Sequence, residues 1–291
     1  MSPTPLSRRN FLALGGGAVL LAACGSKSHP TSNAPATNKA GDPTFTQVAP
    51  GIVSMDLYAS PKPQRFAFAL TAKEGFASGP PVRVALAPPH EQPSAFVAAD
   101  ARGAGLPAFR GVYTLQQVFD RAGVWNGILD YKGTKSPFVV QVASKAAVVV
   151  AGDAAPRVAS PTVAHPLGVD PICTRSPMCP LHTKSLDTLI GKGRPVALMF
   201  ATPARCQTRY CGPVLDTLLP LVAKYPGIDF VHCEIYKNNQ TTNVISTVET
   251  WNLPGEPWLF GIDKHGTITS RLDGAFDRTE MQTLLDGLAR T

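Results

Sequence analysis

The sequence predicts an α/β fold at the C-terminal end of the chain, preceded by an all-β domain. Residues 44–151 contain short apolar runs, rich in β-branched and aromatic residues, which are separated by Gly and Pro. Such runs are typical of an antiparallel sandwich. Residues 172–291 instead alternate helical and strand periods, which is typical of an α/β layout. The chain has 291 residues, enough for about two domains of roughly 100–200 residues each.

The composition excludes several other classes of protein. Hydrophobic residues make up 44% of the chain and charged residues 16%, which is too apolar for a disordered protein. The 25 Gly and 28 Pro residues follow no repeat period, so a collagen-like chain is excluded. The formal net charge is +7, but the basic residues are scattered and form no stripe interleaved with aromatic residues. We therefore expect no nucleic-acid partner.

The N-terminal residues are typical of an export signal. Arg8 and Arg9 stand just before an apolar run at 11–23. As a helix this run would reach only about 20 Å, shorter than the ~30 Å hydrocarbon core of a membrane. The run therefore indicates the apolar part of a signal peptide rather than a transmembrane span. The whole pattern resembles a twin-arginine export signal.

The end of this segment resembles a bacterial lipobox, Leu21-Ala22-Ala23-Cys24-Gly25. The resemblance implies that residues 1–23 are a signal peptide that is removed and that Cys24 is lipidated. It also implies that the protein is anchored in the lipid bilayer of the cell membrane, on its extracytoplasmic face. The alternative is an ordinary cysteine near a cleaved signal.

Two segments are predicted to connect the folded parts. Residues 24–43 form the first, and from position 25 onward they contain no aliphatic residue larger than Ala. Such a stretch buries too little surface to offset its chain entropy, so we expect a flexible tether. Residues 152–171 lack periodicity and carry repeated prolines, which predicts a semi-extended linker.

The domain at 44–151 is predicted to be a small β-sandwich. The stretch from Gly111 to Trp125 resembles the late strands of bacterial immunoglobulin-like envelope modules, which implies an immunoglobulin-like sandwich. Within it, Tyr113 and Trp125 are expected to be core residues rather than ligand contacts. The sequence of this domain shows no nucleophile, carboxylate pair or metal-ligand cluster, so it does not indicate what the domain does.

The domain at 172–291 is predicted to have the element order βαβαββα. Strands are expected at 195–200, 228–236, 258–262 and 267–272, and helices at 185–190, at 213–224, around 244–251 and at the C-terminal end. The run at 195–200 is apolar throughout, as expected for a strand covered on both faces. Asp277 and Glu280 have the spacing of a capping box that opens the last helix.

This order resembles the thioredoxin fold, over residues 181–291. The most specific pieces are Phe200-Ala201-Thr202-Pro203, then Tyr210-Cys211-Gly212-Pro213, then Gly255-Glu256-Pro257-Trp258-Leu259-Phe260. The last piece is most similar to membrane-tethered envelope thioredoxins of the TlpA type. The resemblance implies that Pro257 is a cis-proline beside a redox site. The alternative is an ordinary trans proline that begins a strand.

The sequence departs from the thioredoxin pattern at its central motif. Val214 stands where a thioredoxin has its second cysteine, and the nearest other thiol is Cys206, which gives a C-x4-C spacing with Cys211. In a regular helix such residues lie at least ~7.5 Å apart along the axis, beyond the ~4.4–6.8 Å Cα separation of a disulfide. Because Pro213 marks a helix start, both cysteines can precede the helix or lie in a distorted first turn. A disulfide is then feasible.

The roles of the two cysteines are left open. Cys211 fits a helix N-terminus, where the dipole and free N–H groups favour a thiolate, so we slightly favour it as the attacking thiol, with Cys206 as the resolving one. Arg205 and Arg209 flank Cys206, and their charge would also favour a thiolate there. A purely structural disulfide is the alternative.

A second cysteine pair, Cys173 and Cys179, lies upstream. We predict a disulfide that closes a proline-containing loop. With Met178 and His182 the same residues offer soft ligands that would suit Cu(I), and a relay of oxidising equivalents to the first pair is a further alternative. Cys233 lies in the middle of a predicted strand and is expected to be a buried, unpaired thiol. We predict no metal site and no cofactor.

These observations predict a membrane-anchored, extracytoplasmic thiol–disulfide oxidoreductase whose partners are protein thiols or disulfides of the cell envelope. A peroxiredoxin is one alternative, because Thr202-Pro203 precedes Cys206. However, Thr202 lies four residues before the cysteine, and the peroxiredoxin motif places it three before. A redox-inactive binding or copper-handling envelope module is the other alternative.

Overall fold

The structure is a computed structural model that describes residues 48–72, 75–77, 81–108, 111–206 and 209–291. These ranges belong to one compact unit that runs from Thr44 to Thr291. The predicted signal residues Arg8 and Arg9, the lipobox residue Cys24 and the predicted tether at 24–43 lie outside the described residues. Among the described residues, no helix combines the length and the apolar character needed to cross a membrane.

The first part of the described residues contains a sheet of eight strands, all paired antiparallel. The order is β1-β2-β6-β5-β4-β7-β8, with β3 paired to β2. The strands are β1 Ala49–Ile52, β2 Gln64–Ala72, β3 Gly75–Ala77, β4 Val82–Ala87, β5 Val97–Arg102, β6 Val112–Gln117, β7 Gly123–Tyr131 and β8 Thr134–Val142. Burial alternates along β7, as expected for a strand with one face on a core. The predicted all-β character of this part is confirmed.

This sheet curls so that distant strands share one core. Phe66 in β2 and Phe138 in β8 have ring centroids 6.4 Å apart, although these strands lie near opposite ends of the strand order. Tyr113 and Trp125 are buried in the same core, as predicted. The immunoglobulin-like topology stays a prediction.

The second sheet has four strands in the order β10-β9-β11-β12. These are β9 Val196–Phe200, β10 Asp229–Cys233, β11 Trp258–Ile262 and β12 Ile268–Asp273, and the helices are α1 Cys211–Val222, α2 Ser246–Thr250 and α3 Arg278–Leu288. Strand β10 pairs parallel with β9, whereas the other pairs are antiparallel. Leu186–Thr188 forms one turn of 3₁₀ helix. The order of the elements from β9 to α3 is therefore the predicted βαβαββα.

Strand β9 is buried at every position because apolar side chains cover both faces of the sheet. Ala197 and Met199 pack with residues of α1 and α3. Val196, Leu198 and Phe200 face the other core, which contains Trp251 after α2. A continuous apolar run is therefore needed here, as the sequence predicts.

Several element boundaries differ from the prediction by one to three residues, and two of these differences have a clear physical reason. Strand β10 ends at Cys233, because Ile235 donates its backbone N–H to Thr202 Oγ1 at 2.9 Å. Helix α1 begins at Cys211. Its first backbone bond runs from Val214 to Tyr210 at 2.9 Å, so Pro213 lies inside the first turn, where a proline is tolerated because its N–H would have no partner.

Residues 152–171, predicted as a linker, contain no regular helix or strand, yet they pack against the second sheet. Ala154 forms a β-bridge with Thr267. Ala155 and Val169 are buried in the core that contains Phe200. The lack of periodicity in the sequence does not reveal this burial. The division into separate domains stays a prediction.

Two ion pairs that are largely shielded from solvent connect residues of the first sheet region to β12 and α3. Arg65 in β2 contacts Glu280 of α3 at 2.6 Å, and Asp56 contacts Arg271 of β12 at 2.8 Å. Gly274 has a φ of +75°, and a Cβ at this position would meet the carbonyl oxygen of Val53. Only glycine permits this close approach.

The capping box at the start of α3 also serves this connection. Asp277 Oδ1 accepts from the backbone N–H of Glu280 at 3.1 Å, and Glu280 accepts from the N–H of Asp277 at 3.2 Å, which confirms the predicted capping box. The other oxygen, Asp277 Oδ2, accepts from the N–H groups of Gly103 and Ala104, each at 2.9 Å. The Asp277 carboxylate therefore caps the N-terminus of α3 and also binds the turn that follows β5.

We expect the substitution Arg271→Met to lower the free energy of unfolding by about 3 kcal/mol, because it leaves the buried carboxylate of Asp56 without its cation. Chemical denaturation measures this loss. The matched control is Arg121→Met, whose ion pairs with Glu91 and Asp120 are exposed. The control should leave stability unchanged. An equal loss of unfolding free energy in both variants would contradict a stabilising role of the Asp56–Arg271 pair.

Candidate functional site

A disulfide joins Cys206 and Cys211, whose Cα atoms are 5.8 Å apart. Cys206 lies in the turn that follows β9, and Cys211 is the first residue of α1. Helix α1 starts at Cys211, so Cys206 lies outside the helix. The helical rise therefore does not fix the distance between the two residues, and a disulfide can form across the C-x4-C spacing. Cys206 Sγ accepts a hydrogen bond from the backbone N–H of Cys211 at 3.2 Å.

The two sulfurs differ in their access to solvent. Cys211 is fully buried, whereas Cys206 is partly exposed. The sequence favours Cys211 as the attacking thiol because it reveals the helix start but not the burial. The structure favours Cys206, since this residue is within reach of a partner and receives the N–H at the helix N-terminus.

Glu256, which sequence reasoning missed, places a buried carboxyl group beside the disulfide. Its carboxylate lies within 4.8 Å of both sulfurs, and neither oxygen forms a hydrogen bond of ordinary geometry with a described residue. Burial raises the pKa of Glu256 to about 7, and the neighbouring Thr202 and Arg205 offset this only in part. The carboxyl can therefore gain or lose a proton near neutral pH. The next peptide bond, Glu256–Pro257, is cis, the isomer that the resemblance implied.

Arg205 connects the disulfide turn to the segment that follows β10. Its guanidinium lies over the ring of Tyr236, 5.1 Å from the centroid. It also donates to the carbonyl oxygens of Asn238, at 3.1 Å, and of Thr241. Arg209, the other predicted neighbour of Cys206, is exposed and has a φ of +59°.

Cys173 and Cys179 form a second cluster, but they are not joined to each other. Both are buried free thiols, so the structure does not contain the disulfide predicted between them. Their sulfurs face the ring of His232, with Cys179 Sγ 3.3 Å and Cys173 Sγ 3.9 Å from its Nδ1. His182 Nε2 lies 3.1 Å from the same nitrogen. The four ligand atoms lie within 4.8 Å of one another, and all four residues are buried.

His232 was not predicted as part of this cluster, and Met178 does not belong to it. Met178, considered as a soft ligand, is 53% exposed and is absent from the group of four. His232 lies in β10, 53 residues beyond Cys179. The available signal was a histidine inside the apolar strand at 228–236, but the sequence does not show what that histidine faces.

The ionisation of the cluster follows from burial and from contacts among its members. A hydrogen bond from the Cys179 thiol holds the pKa of Cys173 well below its usual range, and the same pairing raises the pKa of Cys179. Burial lowers the pKa of His232, which favours a neutral ring. Cys233, next to it, is a buried free thiol as predicted, and burial raises its pKa to about 12.

Thr174 connects the two clusters. Its backbone N–H and its hydroxyl donate to Glu234 Oε1 at 2.7 and 3.1 Å. Its hydroxyl oxygen accepts from the backbone N–H of Ala204 at 3.1 Å, two residues before Cys206. Burial raises the pKa of Glu234 to about 8. The segment after Cys173 therefore supports the turn that carries the disulfide.

The raised pKa of Glu256 predicts a pH dependence of stability. The carboxyl titrates at 4.5 when unfolded and at about 7 when folded, so its contribution to stability is complete below pH 4.5 and is lost as pH rises through 7. In the original protein, the free energy of unfolding should fall by about 3 kcal/mol as the pH rises over this range, and Glu256→Gln should abolish that fall. Urea denaturation between pH 4.5 and 8 measures it. Glu249→Gln, at an exposed position, should behave as the original protein, and a parallel decline in the Glu256 variant would refute the assignment.

Comparisons with known proteins provide little further information about this site. No family model and no curated protein matches the chain. Among solved structures, the chain is similar to a crystal structure from Chlorobium tepidum described as a candidate thiol:disulfide interchange protein, DsbE. The identity is 19%, the match covers 47% of this chain and 97% of that one, and the TM-score is 0.33. A likeness at this TM-score decides neither fold nor function, so both are inferred from the chain's own geometry.

Proposed function

We propose that this protein is a thiol–disulfide oxidoreductase, and that its second sheet with α1 to α3 is a thioredoxin-like unit. The observation that carries the proposal is the pairing of Cys206 with Cys211 at the start of α1, with one sulfur partly exposed and the other buried. The strand order β10-β9-β11-β12 and the cis bond before Pro257 are consistent with the fold. A C-x4-C pair here replaces the two-residue spacing of a thioredoxin.

In the proposed reaction, the reduced protein acts through Cys206. Its thiolate attacks one sulfur of a substrate disulfide, so that a mixed disulfide forms, the substrate S–S bond breaks and one substrate thiolate leaves. Cys211 then attacks Cys206 Sγ, which restores the Cys206–Cys211 disulfide and releases the second substrate thiol. Two electrons pass to the substrate. The reverse sequence oxidises a substrate dithiol and leaves the protein reduced.

The structure contains a group for each of two requirements of this reaction, which are stabilisation of the Cys206 thiolate and deprotonation of Cys211. The backbone N–H of Cys211 and the N-terminal end of α1 stabilise negative charge on Cys206. In the second step Cys211 must lose its proton inside a buried site, and an apolar site disfavours the thiolate. The Glu256 carboxylate, with a pKa of about 7, is placed to accept that proton.

We further propose that the protein works at the extracytoplasmic face of the cell membrane. The support is the sequence alone: the Arg8-Arg9 pair before a short apolar run and the lipobox-like residues that end at Cys24. The substrates are then protein thiols or disulfides of the cell envelope. Mass spectrometry of the protein isolated from its membrane, which detects a diacylglycerol-modified Cys24 as the first residue, tests this placement.

The two cysteine variants should behave differently toward a protein disulfide. Reduced Cys211→Ser keeps the accessible thiol and lacks the resolving one, so we expect a stable mixed disulfide between Cys206 and insulin. Cys206→Ser leaves only the buried thiol and should trap nothing. Non-reducing electrophoresis with peptide mass spectrometry detects the adducts.

The control for trapping is Cys233→Ser, which removes a buried thiol outside the pair and should retain full insulin reduction. The original protein should have a reduction potential between about −270 and −120 mV, the range of working redox couples. A potential below about −300 mV would identify a structural disulfide. Equal insulin reduction by both cysteine variants and the original protein would also refute the proposal.

The proposed proton acceptor gives a separate kinetic prediction. Glu256→Gln should slow the resolution of the mixed disulfide by at least about 10-fold at pH 8, and the rise of that rate with pH centred near 7 should disappear. Rapid-quench measurement of mixed-disulfide decay from pH 5 to 9 reports both. Glu249→Gln is the control. An unchanged pH profile in the Glu256 variant would exclude the role, whatever happens to the overall rate.

A further inference from the structure

We infer that Cys173, Cys179, His182 and His232 form a closed, four-ligand binding site for Zn²⁺. The inference concerns a cluster separate from the Cys206–Cys211 disulfide and does not rest on the proposed redox activity. Two thiols and two imidazole rings converge there, and all four residues are buried. Cysteine and histidine are the ligands of structural zinc sites, which use four protein ligands and leave no open position.

The distances fit one ion at the centre of the cluster. A tetrahedral Zn²⁺ with Zn–S of about 2.3 Å and Zn–N of about 2.05 Å separates its ligand atoms by about 3.4 Å (N to N) and about 3.6 Å (N to S). From His232 Nδ1 the observed separations are 3.1 Å to His182 Nε2, 3.3 Å to Cys179 Sγ and 3.9 Å to Cys173 Sγ. Each lies within about 0.3 Å of the corresponding tetrahedral edge.

The second nitrogen of His232 is held in the manner of a metal-bound histidine. Its Nε2 lies 2.9 Å from the carbonyl oxygen of Ala201, and a carbonyl can only accept, so Nε2 carries the proton. Nδ1 is then the nitrogen with a free lone pair, and it is the one that faces the two sulfurs and His182. A backbone carbonyl behind the ligating ring is the usual partner in such sites, because it fixes the tautomer and the ring orientation.

Charge balance favours Zn²⁺ over Cu⁺. When Zn²⁺ binds, the two thiols lose their protons to solvent, four coordinate bonds form and no electron is transferred. Two thiolates, two neutral imidazoles and Zn²⁺ sum to zero charge, which suits a buried site. Cu⁺ with the same ligands would leave one uncompensated negative charge in the interior, which is costly.

The ion would connect the segment that precedes β9 to β10. Cys173, Cys179 and His182 come from that segment, and His232 comes from the strand. Thr174, directly after the first ligand, holds both Glu234 and the backbone of Ala204. Zinc at this position would therefore brace the turn that leads to Cys206, without contact with the disulfide itself.

The test is the metal content of the protein, purified without added metal or chelator under reducing conditions from cells grown with both zinc and copper. Elemental analysis should find one zinc per chain. Cys179→Ala and His182→Ala should each weaken zinc binding more than about 100-fold in a chelator competition, since loss of even an outer-shell partner costs about 10–100-fold. Cys233→Ser, the matched control, removes a neighbouring buried thiol and should keep the zinc.

A second measurement uses the unsubstituted protein, so that it does not depend on the folding of the variants. Replacement of zinc by Co²⁺ should give the strong visible absorption of a tetrahedral cobalt–thiolate site, and zinc should protect Cys173 and Cys179 from alkylation until a chelator is added. The inference is overturned if the protein retains no zinc, or if copper occupies the cluster. A Cys173–Cys179 disulfide in the purified protein, or equal zinc affinity in the ligand variants and the control, would overturn it as well.

Discussion

The parallel pairing of β9 with β10 brings residues of both candidate sites to one edge of the second sheet. In its register Val231 pairs with Leu198 and Cys233 with Phe200, so that both strands end at the same edge of the sheet. The turn that carries Cys206 continues from β9, and Glu234 continues from β10. His232, one residue before the end of β10, faces the carbonyl oxygen of Ala201, one residue after β9. A shift of this register would separate all of these groups at once.

Features that depend on neighbouring residues were predictable from the sequence. The apolar run of β9 shows a strand covered on both faces, and the Asp277–Glu280 spacing shows a helix start, because each signal lies within a few residues. The C-x4-C pair was predictable as a candidate for the same reason. Which sulfur is exposed depends instead on packing around α1, and the sequence does not contain that information locally.

The four-ligand cluster and Glu256 were not predictable, because their chemistry depends on contacts between distant residues. Cys179 and His232 are 53 residues apart, and only the strand register places one beside the other. Cys173 and Cys179, considered alone, suggest a disulfide, since the sequence shows the pair but not the two imidazole rings that lie beside the sulfurs. From the sequence alone, Glu256 would be expected at the surface, as a charged residue before a proline. The structure shows that it is buried. Buried ionisable groups concentrate at this edge of the sheet, and such concentrations are typical of functional sites.

The double use of Asp277 has a consequence for the order in which the chain acquires its structure during synthesis. The backbone N–H groups of Gly103 and Ala104 receive their acceptor from a residue 174 and 173 positions later. A nascent chain that has emerged from the ribosome only as far as β8 therefore lacks the partner that completes its own β5–β6 turn. These two N–H groups therefore reach their final hydrogen bonding only after Asp277 has also been synthesised and has left the ribosome.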